Sequence, residues 1–142
     1  EITIPEKVTE MNGATFEYMT SLRTINMHEE ITYIHGEVFV GDTSLNNVKL
    51  PSKITEIKGS TFENCSSLTS IEIPEGVTRI GGHAFYGCSS LSYVYVPRTV
   101  TEIGSSAFRQ CHSLRSITIP RNAYVNERAF KESPTSISYY NY

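Results

Sequence analysis

Leu68-Thr69-Ser70-Ile71-Glu72-Ile73-Pro74-Glu75-Gly76-Val77-Thr78-Arg79-Ile80-Gly81-Gly82-His83-Ala84-Phe85-Tyr86-Gly87-Cys88 reads as one unit that begins again at Leu91. Its landmarks return at a fixed step of 23 residues: Phe16, Phe39, Phe62, Phe85 and Phe108, then Leu22, Leu45, Leu68, Leu91 and Leu114. Thr9, Thr32, Thr55, Thr78 and Thr101 keep the same step, as do Pro5, Pro51, Pro74, Pro97 and Pro120, with His28 filling the one gap. A fixed period between about 20 and 50 residues is the signature of a repeat architecture. Several columns in phase predict a solenoid.

Each part of the unit has a local reading. The apolar-polar-apolar run Ile71-Glu72-Ile73 has the period of two expected of a half-buried strand. Pro74 cannot donate to a ladder and ends it, and Glu75-Gly76 supplies turn chemistry before Val77 and Ile80 point inward again. Gly59-Ser60-Thr61-Phe62-Glu63-Asn64-Cys65 predicts one helical turn, with Phe62 and Cys65 on one face and Ser60 with Glu63 as a capping box. A single turn cannot stand alone, so stacked copies must hold it. The expected whole is about six 23-residue repeats, with one parallel sheet on one face and short helical turns on the other.

The chain reads as a single repeat domain over residues 1–142. Regular copies run over 2–116, and a degenerate last copy with a C-terminal cap occupies 117–142. Two places depart from the pattern: Met27-His28 and Asp42 replace Ile-Pro and Cys in the second copy, and Phe130 stands where the phase demands position 131. The tail Tyr139-Tyr140-Asn141-Tyr142 is expected to shield the end of the core. No comparable cap precedes Ile2, which leads us to expect that the chain is a fragment of a longer repeat protein.

The spaced Leu and Ile positions, with the Ile-x-Ile-Pro, Ile-Gly, Ala-Phe and Cys elements, resemble the BspA-like leucine-rich repeat family. The likeness covers residues 2–116 without a gap. It implies a leucine-rich-repeat solenoid, a right-handed β/α superhelix. It further implies a secreted or cell-surface protein of bacteria or parasitic protists, where several members adhere to host extracellular proteins.

The chemistry-bearing residues fall mostly into structural columns. Cys65, Cys88 and Cys111 share one column, and parallel side chains neither converge to a disulfide nor surround a tetrahedral metal. His28, His35, His83 and His112 lie at different offsets. Ser21, Ser44, Ser67, Ser90 and Ser113 sit beside the repeat Leu, and no serine has nucleophile-elbow surroundings. No metal site, no cofactor and no catalytic residue is expected, and the chain reads as no enzyme.

A net charge of −3 with scattered Lys and Arg argues against a nucleic-acid partner, and no apolar run approaches the length of a membrane span. Residues 1–72 carry 11 acids against 5 bases, and residues 73–142 carry 4 against 7. Such a division can arise by chance; read as a dipole, it favours weak head-to-tail self-association.

What remains is the outward strand surface. One outward column is Thr3, Asn26, Lys49, Glu72, Tyr95 and Thr118, and its neighbour is Glu1, Thr24, Asn47, Ser70, Tyr93 and Ser116. Tyr93 and Tyr95 offer large, rigid, amphipathic contact area, with Glu72, Lys49, Asn47 and Asn26 on neighbouring rungs. This selects a non-catalytic protein-binding or adhesion module that engages an extracellular protein, a host protein among the candidates. A structural spacer or stalk, or a glycan-binding module, is the alternative.

Overall fold

The computed structural model describes residues 1–141; Tyr142, the last residue of the expected cap, lies outside the described residues. The chain winds into stacked coils with two short strands in each. The odd-numbered strands are β1 (Ile2–Thr3), β3 (Thr24–Asn26), β5 (Asn47–Val48), β7 (Ser70–Glu72), β9 (Tyr93–Tyr95), β11 (Ser116–Ile119) and β13 (Ser136–Tyr139). The even-numbered ones are β2 (Glu10–Met11), β4 (Tyr33–Ile34), β6 (Glu56–Ile57), β8 (Arg79–Ile80), β10 (Glu102–Ile103) and β12 (Tyr124–Val125). Pairing is parallel and joins identical positions of successive copies, as in Ile71 with Val94 and Ile57 with Ile80.

The core is a set of columns running along the stack. Phe39, Phe62, Phe85 and Phe108 are fully buried, and neighbouring rings lie 5.2–5.4 Å apart and within 12° of parallel. Phe130 continues the stack on Phe108 at 5.2 Å despite its displaced position. The missing residue is absorbed ahead of β12, where Tyr124 pairs with Glu102 at an offset of 22. The Phe column therefore keeps its phase, and the turn gives way. Gly81 and Gly104 pack tightly on the preceding coil: the Gly81 N–H bonds the Ile57 carbonyl at 2.7 Å, and a Cβ would lie 2.7 Å from the Gly59 nitrogen at Gly81 and 2.7 Å from the Gly82 nitrogen at Gly104.

Two expectations need correction. The first is the helical turn, since no helix occurs among the described residues. Over 59–65, Thr61, Glu63 and Cys65 donate back three residues, to the carbonyls of Lys58, Ser60 and Phe62. Ser60, Phe62 and Asn64 instead donate to Gly82, Ala84 and Tyr86 of the next coil, at 3.0, 2.8 and 2.7 Å. An α-helix would need every one of those amides for its own i−4 carbonyls. The alternation rests on left-handed backbone at Ser60 (φ 59°) and Asn64 (φ 61°), and both positions recur around the stack. Ser60 does donate to Glu63 at 3.1 Å, but the bond closes a turn and caps no helix.

The second correction concerns the sheet. In place of one continuous face, the odd-numbered strands form three ladders: β1-β3-β5, β7-β9 and β11-β13. The even-numbered strands break once, between β4 and β6. The coils carrying β5 and β7 stay joined elsewhere. Thr78 donates to Thr55, Gly81 to Ile57, and the three turn-face bonds described above link the same two coils. The separation is confined to one face.

Candidate functional site

A cavity of about 690 Å³ opens across the interruption between β5 and β7. Its floor is aliphatic, made by Val48, Leu50, Ile71 and Ile73, which the strand alternation turns inward. Its rim is polar and includes Asn47, Lys49, Glu72 and Tyr95, with Glu29 and Glu75 on the flanking turns. Among the described residues, no backbone hydrogen bond joins 46–50 to 69–73.

Four of the residues expected from the outward columns therefore share one place. The other two do not. Tyr93 is 53% exposed but lies outside the opening. Asn26 is committed to its own end of the stack, donating to Glu1 Oε2 at 2.9 Å and to Thr3 Oγ1 at 3.2 Å.

Glu29, Ser52 and Glu75 were not foreseen, though a signal for them exists. The position after the Pro column runs Glu6, Glu29, Ser52, Glu75, Arg98 and Arg121, acidic early and basic late. Glu29 accepts the Ser52 N–H at 2.7 Å and the Ser52 hydroxyl, and these bonds hold its carboxyl below the usual range. The Tyr95 hydroxyl donates to Glu75 at 2.6 Å, and that bond pushes the phenol up to about 12. Glu72 has no side-chain hydrogen bond or ion pair among the described residues.

The remaining chemistry-bearing groups serve the stack. Cys65, Cys88 and Cys111 are free, fully buried thiols, and each donates to the Phe carbonyl of the preceding coil at 3.1–3.2 Å. His28 bonds the Pro5 carbonyl at 2.9 Å in place of the missing Pro, and His35 meets Glu10 at 2.9 Å. Ser44 and Ser113 donate to the carbonyls of Thr20 and Ser89 one coil away. On the even-numbered strands Arg79 bridges Glu56 and Glu102, at 3.1 and 3.4 Å. Among the described residues no group of three or more His, Cys, Asp and Glu is placed to hold a metal ion, and no helix is long and apolar enough to cross a membrane.

Parallel 23-residue coils around stacked Phe and Leu columns define a leucine-rich-repeat solenoid, a class that generally serves as a scaffold for protein interaction. Residues 37–141 match the BspA type leucine rich repeat region in six copies, and the chain belongs to that family. No curated protein matches it.

Solved structures agree on the fold. A leucine-rich repeat protein of Treponema pallidum (T. pallidum, TpLRR) is 27% identical with a TM-score of 0.79, over 96% of this chain and 72% of that one. A leucine-rich repeat protein of Bacteroides ovatus is 25% identical with a TM-score of 0.68, over 96% of this chain and 45% of that one. A leucine rich cell surface protein of Faecalibacterium prausnitzii shares the fold at 20% identity and a TM-score of 0.62, over 99% of this chain and 60% of that one. The present chain thus spans less than half of the Bacteroides protein.

Proposed function

We propose that this chain is a non-catalytic protein-binding module that presents its odd-numbered strand face to an extracellular protein, a host protein among the candidates. One observation carries the reading. Asn47, Lys49, Glu72 and Tyr95 converge on a single opening with an aliphatic floor and a polar rim. Apolar floors with a few placed polar groups are the usual make-up of binding sites. At the rim Tyr95 is hydrogen-bonded to Glu75 and Glu29 to Ser52, and among the described residues no serine or cysteine is hydrogen-bonded to a histidine, which supports binding over nucleophilic chemistry. Location at a bacterial surface is supported by the family and by the cell-surface protein that shares the fold.

The test is binding to an immobilised panel of extracellular proteins alongside a glycan array, with wild type and Tyr93→Ala/Tyr95→Ala. The expected result is capture of at least one protein, weakened tenfold or more in the double variant while its circular dichroism is unchanged. Binding to sugars alone would move the reading to a glycan module. Absence of binding on both arrays would favour a stiff spacer, a role the unbroken Phe stack also suits.

A further inference from the structure

We propose that the opening between β5 and β7 seats an extended peptide segment carrying a lysine or arginine side chain, whose backbone completes the interrupted ladder. This rests on the protein-binding reading above and adds the kind of segment that is bound.

The backbone supplies the first reason. Of the two junctions on this face without a ladder, β5–β7 and β9–β11, the cavity opens at the first; across β7–β9 the neighbouring copies exchange ladder bonds, as Ser92 does with Thr69 at 2.9 Å and Ile73 with Tyr95 at 3.0 Å. Between 46–50 and 69–73 no such bond exists among the described residues, so two parallel strand edges face each other across the opening. Strand edges with unmet donors and acceptors are templates for another extended chain. The cavity, about 690 Å³, is within the range of built ligand sites.

Charge supplies the second. Lys49 and Glu72 occupy one column on the two coils that flank the opening, yet no ion pair joins them among the described residues. Glu56 and Arg79, at the same one-coil offset on the even-numbered strands, do pair at 3.1 Å. Glu72 is thus an exposed carboxylate at the rim, with Glu29 and Glu75 beside it and Lys49 as the one opposing charge. A basic side chain can lay its aliphatic stem on Val48 and Ile71 while its head reaches these carboxylates. A glycan would meet the carboxylates but would not pair with two strand edges.

The probes are blocked pentapeptides of alternating Thr and Val with a central Lys, Arg, Gln or Glu, and the Lys peptide N-methylated at alternate amides. Fluorescence anisotropy on the full chain reads affinity, and amide hydrogen exchange reads location. The expected results are Lys and Arg peptides binding at least tenfold tighter than the Glu peptide and a tenfold or greater loss on N-methylation. Exchange should slow at 46–50 and 69–73. Glu72→Gln, an exposed change that leaves the core intact, should abolish most of the basic preference. Equal binding of the Glu peptide, indifference to N-methylation, or protection elsewhere would overturn the inference. If panel proteins bind through Tyr93 and Tyr95 while no peptide slows exchange, this inference falls and the proposed function stands; if neither proteins nor peptides bind, both fall.

Discussion

The Cys88 thiol donates to the Phe62 carbonyl at 3.1 Å, across the boundary between two coils. Cys65 and Cys111 repeat the bond to Phe39 and Phe85, and Ser133 makes it to Phe108 in the last copy. The column thus has a donor at its tip. Burial pushes the Cys111 thiol up to about 12 and raises Cys65 and Cys88 as well, which suppresses the reactive thiolate. Iodoacetamide at pH 8 should leave all three unmodified in native protein over a period that modifies all three in denaturant. Mass spectrometry reads the count, and rapid native labelling of the three would contradict the burial.

Asp42 takes the same column in the second copy, with Oδ1 accepting the Met19 N–H at 2.7 Å and Oδ2 buried without a partner. Burial pushes its carboxyl up from 3.8 to about 6. The folded state then holds the proton more tightly than the unfolded chain. Its stabilising contribution is therefore full below the unfolded value and lost as pH rises through about 6. Asp42→Cys should raise Tm at pH 7 by the equivalent of about 1–2 kcal/mol, with the gain shrinking toward pH 4. A gain of equal size at both pH values would separate it from the titration.

Phe62 lies between Phe39 and Phe85 at 5.3 and 5.4 Å, whereas Phe16 at the end of the stack is only partly buried and sits 6.1 Å from Phe39. Phe62→Ala should cost about 3–5 kcal/mol, since both transfer and cavity terms apply. Phe16→Ala should cost clearly less. Urea unfolding of the two variants gives the comparison, and equal losses would mean that the stack is not the main core element.

Gln110 holds φ 58° at a position where earlier copies have Gly41 and Gly87. A non-glycine residue there carries Cβ strain of about 1 kcal/mol or more, partly offset by glycine's larger unfolded-state entropy. Gln110→Gly should stabilise the fold by about 0.5 kcal/mol. A lower Tm would show that the Gln110 side chain contributes more than its backbone strains.

The columns were legible because stacked coils place the same residue in the same surroundings, so Phe, Leu, Cys and Pro had to return in phase. The turn face misled for a definite reason. Phe62 and Cys65 share a face in a helix and in a chain of three-residue turns alike, and only the destination of the Phe62 N–H tells them apart. The site was half legible. Alternation placed Asn47, Lys49, Glu72 and Tyr95 outward, but the parting of β5 from β7 is a relation between two coils, which no single copy encodes. Glu29 and Glu75 follow the Pro column and read as turn filler until the Ser52 and Tyr95 bonds are seen.

The tail returns over the stack. The Tyr140 hydroxyl donates to the Val96 carbonyl at 2.6 Å, 44 residues back, and Arg98 lies over its ring at 4.3 Å. Among the described residues the other hydrogen bonds between coils join immediate neighbours, an arrangement that peels one turn at a time from an open end. This clasp skips a turn. Peeling β13 away from β11 must therefore also break a contact made with the coil of β9, so the final strand is moored to the spring at two points along its length instead of one.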